Sequence, residues 1–368
     1  MKILILSCNT GGGHNSAASA VKDYFKAMGD NCDIRDALAY WSEGSSNLIS
    51  NGHTILYKKL PKLFGAAYRF AENHPASEND SIIYDLATLG AKKLSNYLKE
   101  VHYDAVVCTH VFSGMIATEV QKKYLKDLKI YFVATDYTCS PGVNEINADA
   151  YFIPHKLLKN EFLEFGGKKD NVIPSGIPVR KAFYNPKNAE LAKKELGLPE
   201  GKKIVLLMCG SMGCGPIKEL AATLDDGLPS DAHLVAICGS NQQLQKSLYK
   251  YKDFKNTTIV GFTDKMGLYM DAAYVTLTKP GGLSSTEALI KGLPIVLIDA
   301  VPGCETRNLD FLVSNGFAIT ANTPKELSGI VYNYIEYPEE HAKHKDFLKS
   351  EFNFNAPKII YDYIKNDI

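Results

Sequence analysis

Thr278-Lys279-Pro280-Gly281-Gly282-Leu283-Ser284-Ser285-Thr286-Glu287-Ala288 is the stretch on which the fold turns. An apolar, β-rich run, Tyr274–Lys279, leads into it, two glycines turn the chain, and Ser284, Ser285 and Thr286 open a helix. This is a strand–glycine loop–helix junction. Gly281 and Gly282 allow close backbone approach, and amides at a helix N-terminus, with the serine hydroxyls, suit a diphosphate. Glu287 follows where a carboxylate could accept from ribose hydroxyls. The alternative reading is purely structural, with the hydroxyl cluster capping the helix and Glu287 complementing its dipole.

Working outward, the same junction recurs twice. At the start, Lys2–Ser7 runs into Asn9-Thr10-Gly11-Gly12-Gly13-His14 and a helix that opens near Asn15. This loop lacks both the G-x-G-x-x-G of nicotinamide sites and the G-K-[ST] of P-loops, so those cofactor classes lose support. In the middle, Lys202–Gly210 leads into Gly210-Ser211-Met212-Gly213-Cys214-Gly215-Pro216, where Gly210, Ser211 and Gly213 form a second candidate ligand loop and Pro216 suits a first helical position. Further strands are expected at 32–36, 104–110, 129–136, 148–154 and 171–174, and again at 233–239, 257–262, 293–299 and 317–320. Short apolar strands alternating with amphipathic helices predict an α/β fold of two Rossmann-like domains facing a cleft, with ligands at strand C-termini. The expected division is an N-terminal domain over 1–180, a C-terminal domain over 200–335, and closing helices over 336–368 that pack back on the N-terminal domain. Residues 40–75 contain no convincing strand and read as an insertion of the kind that is functional or mobile.

Composition removes several function classes. The 368 residues are 45% hydrophobic and 22% charged, enough to bury two cores. Lys plus Arg and Asp plus Glu both number 41, so no overall basic field draws nucleic acid. The eight cysteines are scattered without a C-x-x-C pair and read as buried free thiols. No apolar run approaches the ~20 residues of a membrane span, and the first is too short for a signal peptide, so a cytoplasmic protein is expected.

These segments together resemble the monogalactosyldiacylglycerol synthase and processive diacylglycerol glucosyltransferase family, relatives of MurG. The resemblance rests on Gly11–His14, Ala134-Thr135-Asp136-Tyr137-Thr138-Cys139, Ser175-Gly176-Ile177-Pro178-Val179-Arg180, Gly261-Phe262 with Met266, the 279–287 loop, and Pro302-Gly303-Cys304-Glu305-Thr306-Arg307-Asn308. It covers nearly the whole chain, though Thr306 and Arg307 depart from the family's usual pattern. The resemblance implies the GT-B glycosyltransferase fold and inverting transfer of a hexose from a UDP-sugar, UDP-glucose or UDP-galactose, to a lipid acceptor such as diacylglycerol. It places Gly261, Phe262 and Met266 around uracil, Ser284 and Ser285 (with Gly281, Gly282 and Leu283) around the diphosphate, and Glu287 at the ribose. Glu305 and Asn308 then read sugar hydroxyls. A UDP-sugar epimerase, a MurG-like or soluble-acceptor transferase, and a non-catalytic nucleotide-sugar sensor are the rival readings.

Inverting transfer needs a base for the acceptor hydroxyl and stabilisation of the leaving UDP. His14, beside Gly12 and Gly13, is the favoured base. Asp136 is the alternative base or orients His14, and His110 is a third candidate; Asp136 also fits a turn cap, and His110 a hydrogen-bonded interior residue. With no D-x-D dyad in the chain, no metal and no cofactor are expected, and helix amides replace the cation. Lys58, Lys59, Lys62 and Arg69 separate on a helical wheel from Leu60, Leu63, Phe64 and Phe70. That is the pattern of a segment lying on an anionic membrane surface, or of a helix with a solvated basic face. Peripheral attachment to the inner face of the cell membrane is the corresponding expectation.

Overall fold

The structure, a computed structural model, describes residues 1–9, 12–41, 82–164, 170–210, 213, 215–251 and 253–368. The insertion at 40–75 and its basic segment therefore lie almost wholly outside the described residues. The chain divides into two compact units. One comprises Met1–Arg180, Val301–Arg307 and Phe354–Ile368; the other comprises Lys181–Ala300 and Asn308–Asn353.

In the first unit, β1 (Lys2–Ser7), β2 (Asn31–Asp36), β3 (Ala105–Cys108), β4 (Lys129–Val133), β5 (Ala150–Ile153) and β6 (Val172–Pro174) pair in the order β2-β1-β3-β4-β5-β6, every pair parallel. Every residue of β3 and β5 is buried, because helices on both faces exclude water from a parallel sheet. The helices are α1 (Gly12–Ala27), α2 (Ile82–Thr88), α3 (Ala91–Val101), α4 (Val111–Lys123) and α5 (Lys159–Glu164). Helix α1 presents Ala18, Val21 and Phe25 at helical spacing to a core with Ile3, Ile5 and Val107. Since β1 lies between β2 and β3, the winding reverses at β1 and β3, and the crevice for a ligand opens beyond their C-terminal ends.

The second unit repeats the plan. Helices α6 (Lys181–Tyr184) and α7 (Ala189–Leu196) precede β7 (Lys203–Met208), α8 (Ile217–Gly227), β8 (Ala232–Ile237), α9 (Gln242–Tyr251), β9 (Thr257–Val260), α10 (Met266–Ala272) and β10 (Ala273–Thr278). Then come α11 (Gly282–Ile290), β11 (Ile295–Leu297), α12 (Cys304–Ser314), β12 (Ile319–Thr320), α13 (Pro324–Glu336) and α14 (Pro338–Glu351). The strand order β12-β11-β10-β7-β8-β9, all parallel, puts this unit's switch point between β7 and β10. The loops after those two strands are the glycine loops at 209–216 and 279–282.

The last helix, α15 (Ala356–Asp367), belongs to the first unit, where Tyr361 meets Phe25 edge-on at 5.0 Å and Tyr131 donates to Asp367 at 2.7 Å. Just before it, the Phe354 ring lies 1.8 Å from where a Cβ on Gly176 would stand, and Gly176 has φ +85°, so only glycine fits there. The expectation that all of 336–368 joins the first unit is corrected: α14 stays with the second. His341 of α14 is buried, stacks on Tyr274 with ring centroids 3.6 Å apart, and donates from Nε2 to the Tyr274 carbonyl at 2.8 Å. Among the described residues every cysteine is free, and no helix is long and apolar enough to cross a membrane.

Candidate functional site

In the first unit the site is built on three neighbouring parallel strands. Residues just beyond the C-terminal ends of β1, β3 and β4 must converge, and they do. Ser7 donates to Asn15 Oδ1 at 2.6 Å and Asn15 Nδ2 to Asn9 Oδ1 at 2.7 Å, which ties the end of β1 to the first turns of α1. Helix α1 begins at Gly12, earlier than expected, so Gly12, Gly13 and His14 form its first turn. His14 Nδ1 lies 2.9 Å from the carbonyl oxygen of Thr109, beyond β3, and 2.8 Å from Oγ1 of Thr135, beyond β4. A carbonyl oxygen only accepts, so Nδ1 carries the proton and Nε2 carries the lone pair. Burial lowers the His14 pKa below its ordinary 6.5, against the opposing pull of the Asp136 charge and the Thr109 carbonyl. The ring is therefore a neutral base at pH 7.

His110 is set differently. Its ring meets His14 edge-on at 4.6 Å, but its Nδ1 accepts the Phe112 amide at 3.1 Å while its own amide donates to Ser113 Oγ at 3.2 Å. This is a capping box at the start of α4. The δ nitrogen of His110 is thus committed to capping the start of α4. Asp136 and Glu305 lie in one charged neighbourhood with Cys304, whose thiol is pushed well up, first by burial and then by these two carboxylates. Glu305 accepts the Val301 amide at 2.8 Å and so closes the 301–305 turn.

In the second unit, α11 starts at Gly282 and no side chain caps it. Asn188, Thr323 and Asn355 cap α7, α13 and α15 in the ordinary way. The amides of Gly282, Leu283 and Ser284, in the first turn, have no acceptor within the helix. A Cβ added to Gly281 would meet nothing within 4 Å, and its φ of −75° suits any residue, so neither conformation nor local packing requires glycine there. Open space in front of these amides is what the missing side chain provides. The loop is tethered from behind: Asn308, fully buried, donates from Nδ2 to the Pro280 carbonyl at 2.9 Å.

Not all the expected contacts face outward. Ser285 and Thr286 are fully buried; Thr286 donates back to the Gly282 carbonyl at 2.7 Å, and Ser285 Oγ has no partner among the described residues. Helical periodicity turns positions 285 and 286 inward and leaves Ser284 partly open. Ser285 and Asn308 are thus both held inside the unit, Asn308 by the Pro280 carbonyl. Glu287 is 7% exposed, while Phe262 beyond β9 is 74% exposed beside Gly261 and the half-buried Met266. Gly210 and Gly213 follow β7; Ser211 lies outside the described residues. Two residues stand in the quoted motifs but were given no role there. For Thr135 nothing beyond membership of the 134–139 motif pointed to His14. Lys279, buried at the end of β10 with Nζ 3.6 Å from Asp299 Oδ2, stood immediately before Pro-Gly-Gly and was legible as a cation beside an anion loop. Among the described residues no three His, Cys, Asp or Glu side chains converge as a metal site would require.

Two parallel six-stranded Rossmann-like units, each with a loop suited to a ligand at its switch point, define the GT-B class of glycosyltransferase folds. Residues 14–179 match the monogalactosyldiacylglycerol (MGDG) synthase family, and residues 204–303 the glycosyltransferase family 28 C-terminal domain. Monogalactosyldiacylglycerol synthase 3 of Arabidopsis thaliana, a chloroplast protein, is 30% identical over 99% of this chain and 80% of its own length. The processive diacylglycerol beta-glucosyltransferase of Bacillus pumilus is 28% identical over 99% of this chain and 94% of its own. The crystal structure of Acinetobacter baumannii MurG superposes with a TM-score of 0.66 at 16% identity, covering 99% of each chain. The chain belongs to the monogalactosyldiacylglycerol synthase family and is a glycosyltransferase.

Proposed function

We propose that this glycosyltransferase moves a hexose from UDP-glucose or UDP-galactose to diacylglycerol, with inversion and without a metal ion, on the cytoplasmic face of an anionic membrane. The observation that carries the reading is His14, held with Nδ1–H donated to a carbonyl and Nε2 as the lone-pair nitrogen of a neutral ring. Nε2 takes the proton of the acceptor hydroxyl as its oxygen forms a bond to the anomeric carbon, and the bond from that carbon to the β-phosphate oxygen breaks. UDP leaves with the electron pair. The uncapped amides at 282–284, Ser284 and the Lys279 ammonium receive the charge that develops on it, a role a divalent ion fills elsewhere. Phe262 and Met266 offer surface to a nucleobase and Glu287 an acceptor to ribose, as the family resemblance implies. Diacylglycerol as acceptor, and galactose or glucose as the sugar, are supported by the two relatives, one a monogalactosyldiacylglycerol synthase and the other a diacylglycerol beta-glucosyltransferase.

The test is direct. Protein is incubated with vesicles of phosphatidylglycerol and diacylglycerol and with each UDP-sugar, with EDTA present, and the lipids are analysed by mass spectrometry and proton NMR. A β-linked hexosyl-diacylglycerol formed in step with UDP is the expected result. Release of UDP or epimerised sugar with no lipid product would overturn the reading.

A further inference from the structure

The geometry points to Thr135 as a positioning residue, whose hydroxyl oxygen shares the His14 Nδ1 proton with the Thr109 carbonyl and so aims Nε2 at the acceptor; this rests on the reading of His14 as the base. Two acceptors lie at 2.9 and 2.8 Å from one nitrogen, one from the turn after β3 and one from the turn after β4. With a single acceptor the ring could pivot about that hydrogen bond. Two acceptors on different strands fix its plane as well as its tautomer. Thr135 is 9% exposed and Thr109 1%, so water does not replace either partner readily.

The effect grows along the reaction. As Nε2 accepts the proton, His14 becomes an imidazolium, and the bond from Nδ1–H to Thr135 becomes charge-assisted, about twice as strong as a neutral one. Thr135 therefore favours the charged state over the ground state, which is the condition for raising kcat. The groups that act on this titration are Asp136, adjacent in sequence to Thr135, whose charge raises the His14 pKa, and the His110 ring packed edge-on against it. His110 gives its Nδ1 to the Phe112 amide at the start of α4, and the charge of Asp136 acts on the His14 titration.

The full-length protein is compared with Thr135→Val, which keeps the shape and removes the acceptor, and with Thr135→Ser, which restores it. Thr135→Val should lower kcat by about 10-fold with the KM for UDP-sugar unchanged, and Thr135→Ser should recover most of the loss. Nitrogen-15 NMR of the imidazole should place the His14 pKa lower in Thr135→Val than in wild type or Thr135→Ser, since the acceptor stabilises the cation. Thermal melts identify a variant that has merely lost its fold. His14→Ala is run alongside. If His14→Ala is inactive while Thr135→Val matches wild type in kcat and in the His14 titration, this inference alone falls. If His14→Ala keeps turnover, the base reading falls and takes this inference with it.

Discussion

Gly281→Asp separates what the fold needs from what a ligand needs. Gly281 is the N-cap of α11, its φ and ψ of −75° and 135° are open to any L-residue, and an added Cβ has nothing within 4 Å. An aspartate there caps the first-turn amides itself. Over glycine it adds a few tenths of a kcal/mol as a cap, ~0.3–1 kcal/mol against the helix dipole and ~0.4–1 kcal/mol through a less flexible unfolded chain. Folding should therefore be stabilised by about 1–2 kcal/mol, a rise of a few degrees in melting temperature. UDP binding should respond in the opposite sense. The new carboxylate occupies the amides and repels the diphosphate; losing even one charge-assisted hydrogen bond costs ~1.5–3 kcal/mol, so Kd should rise at least tenfold. Gly213→Ala is the contrasting control, since its Cβ would stand 2.1 Å from the Cys238 carbonyl at φ +55° and should destabilise outright. Differential scanning fluorimetry and titration calorimetry with UDP read both quantities. A Gly281→Asp protein that binds UDP like wild type would refute the donor-loop assignment, and one that melts lower would refute the claim that glycine is kept there for the ligand.

His14→Ala should lower kcat by on the order of 10²-fold or more with UDP-sugar affinity nearly intact; wild-type turnover in this variant would remove His14 from the mechanism. Because burial holds the His14 pKa below 6.5 and the base must be neutral, kcat/KM should fall as the pH drops, with a midpoint below 6.5; a midpoint above 7 contradicts the assignment. His341 and His344 are both held below the ordinary histidine value, chiefly by burial. The unfolded chain then binds more protons as pH falls through 6.5, so stability should drop from there downward to the folded pKa values, by up to ~1.4 kcal/mol per pH unit for each histidine. Denaturant melts from pH 7.5 to 5 measure this, and an equal slope in His341→Gln/His344→Gln would assign the loss to other groups. Changing Lys58, Lys59 and Lys62 to Glu should sharply reduce sedimentation with phosphatidylglycerol vesicles, at about 1 kcal/mol per basic residue, and leave UDP affinity unchanged; equal pelleting would make the segment a solvated face.

The interior strands were legible because a parallel strand covered on both faces must be apolar throughout, while the edge strand β2 only alternates exposed polar residues with Cys32 and Ile34. All twelve expected runs overlap one. Strand order is a different kind of information. It follows from which crossovers pack, so nothing in the local sequence puts Thr109 and Thr135 against His14 across 95 and 121 residues. Adjacency of β1, β3 and β4 does that, and with it Thr135 changes from one member of a motif into a partner of the base. The hydroxyl run at 284–286 shows the opposite limit. Its composition suits both a phosphate cradle and an interior helix face, and the choice depends on how α11 is rotated against the sheet, a property of packing that leaves one hydroxyl partly open and two inside. His110 fell between these cases: histidine is outside the usual capping set, yet Ser113 three residues on was the second half of a capping box. What separates His14 from His110 is therefore the acceptor each δ nitrogen finds. A carbonyl receives the proton of one and sets Nε2 as a base, while an amide takes the lone pair of the other and makes it a cap.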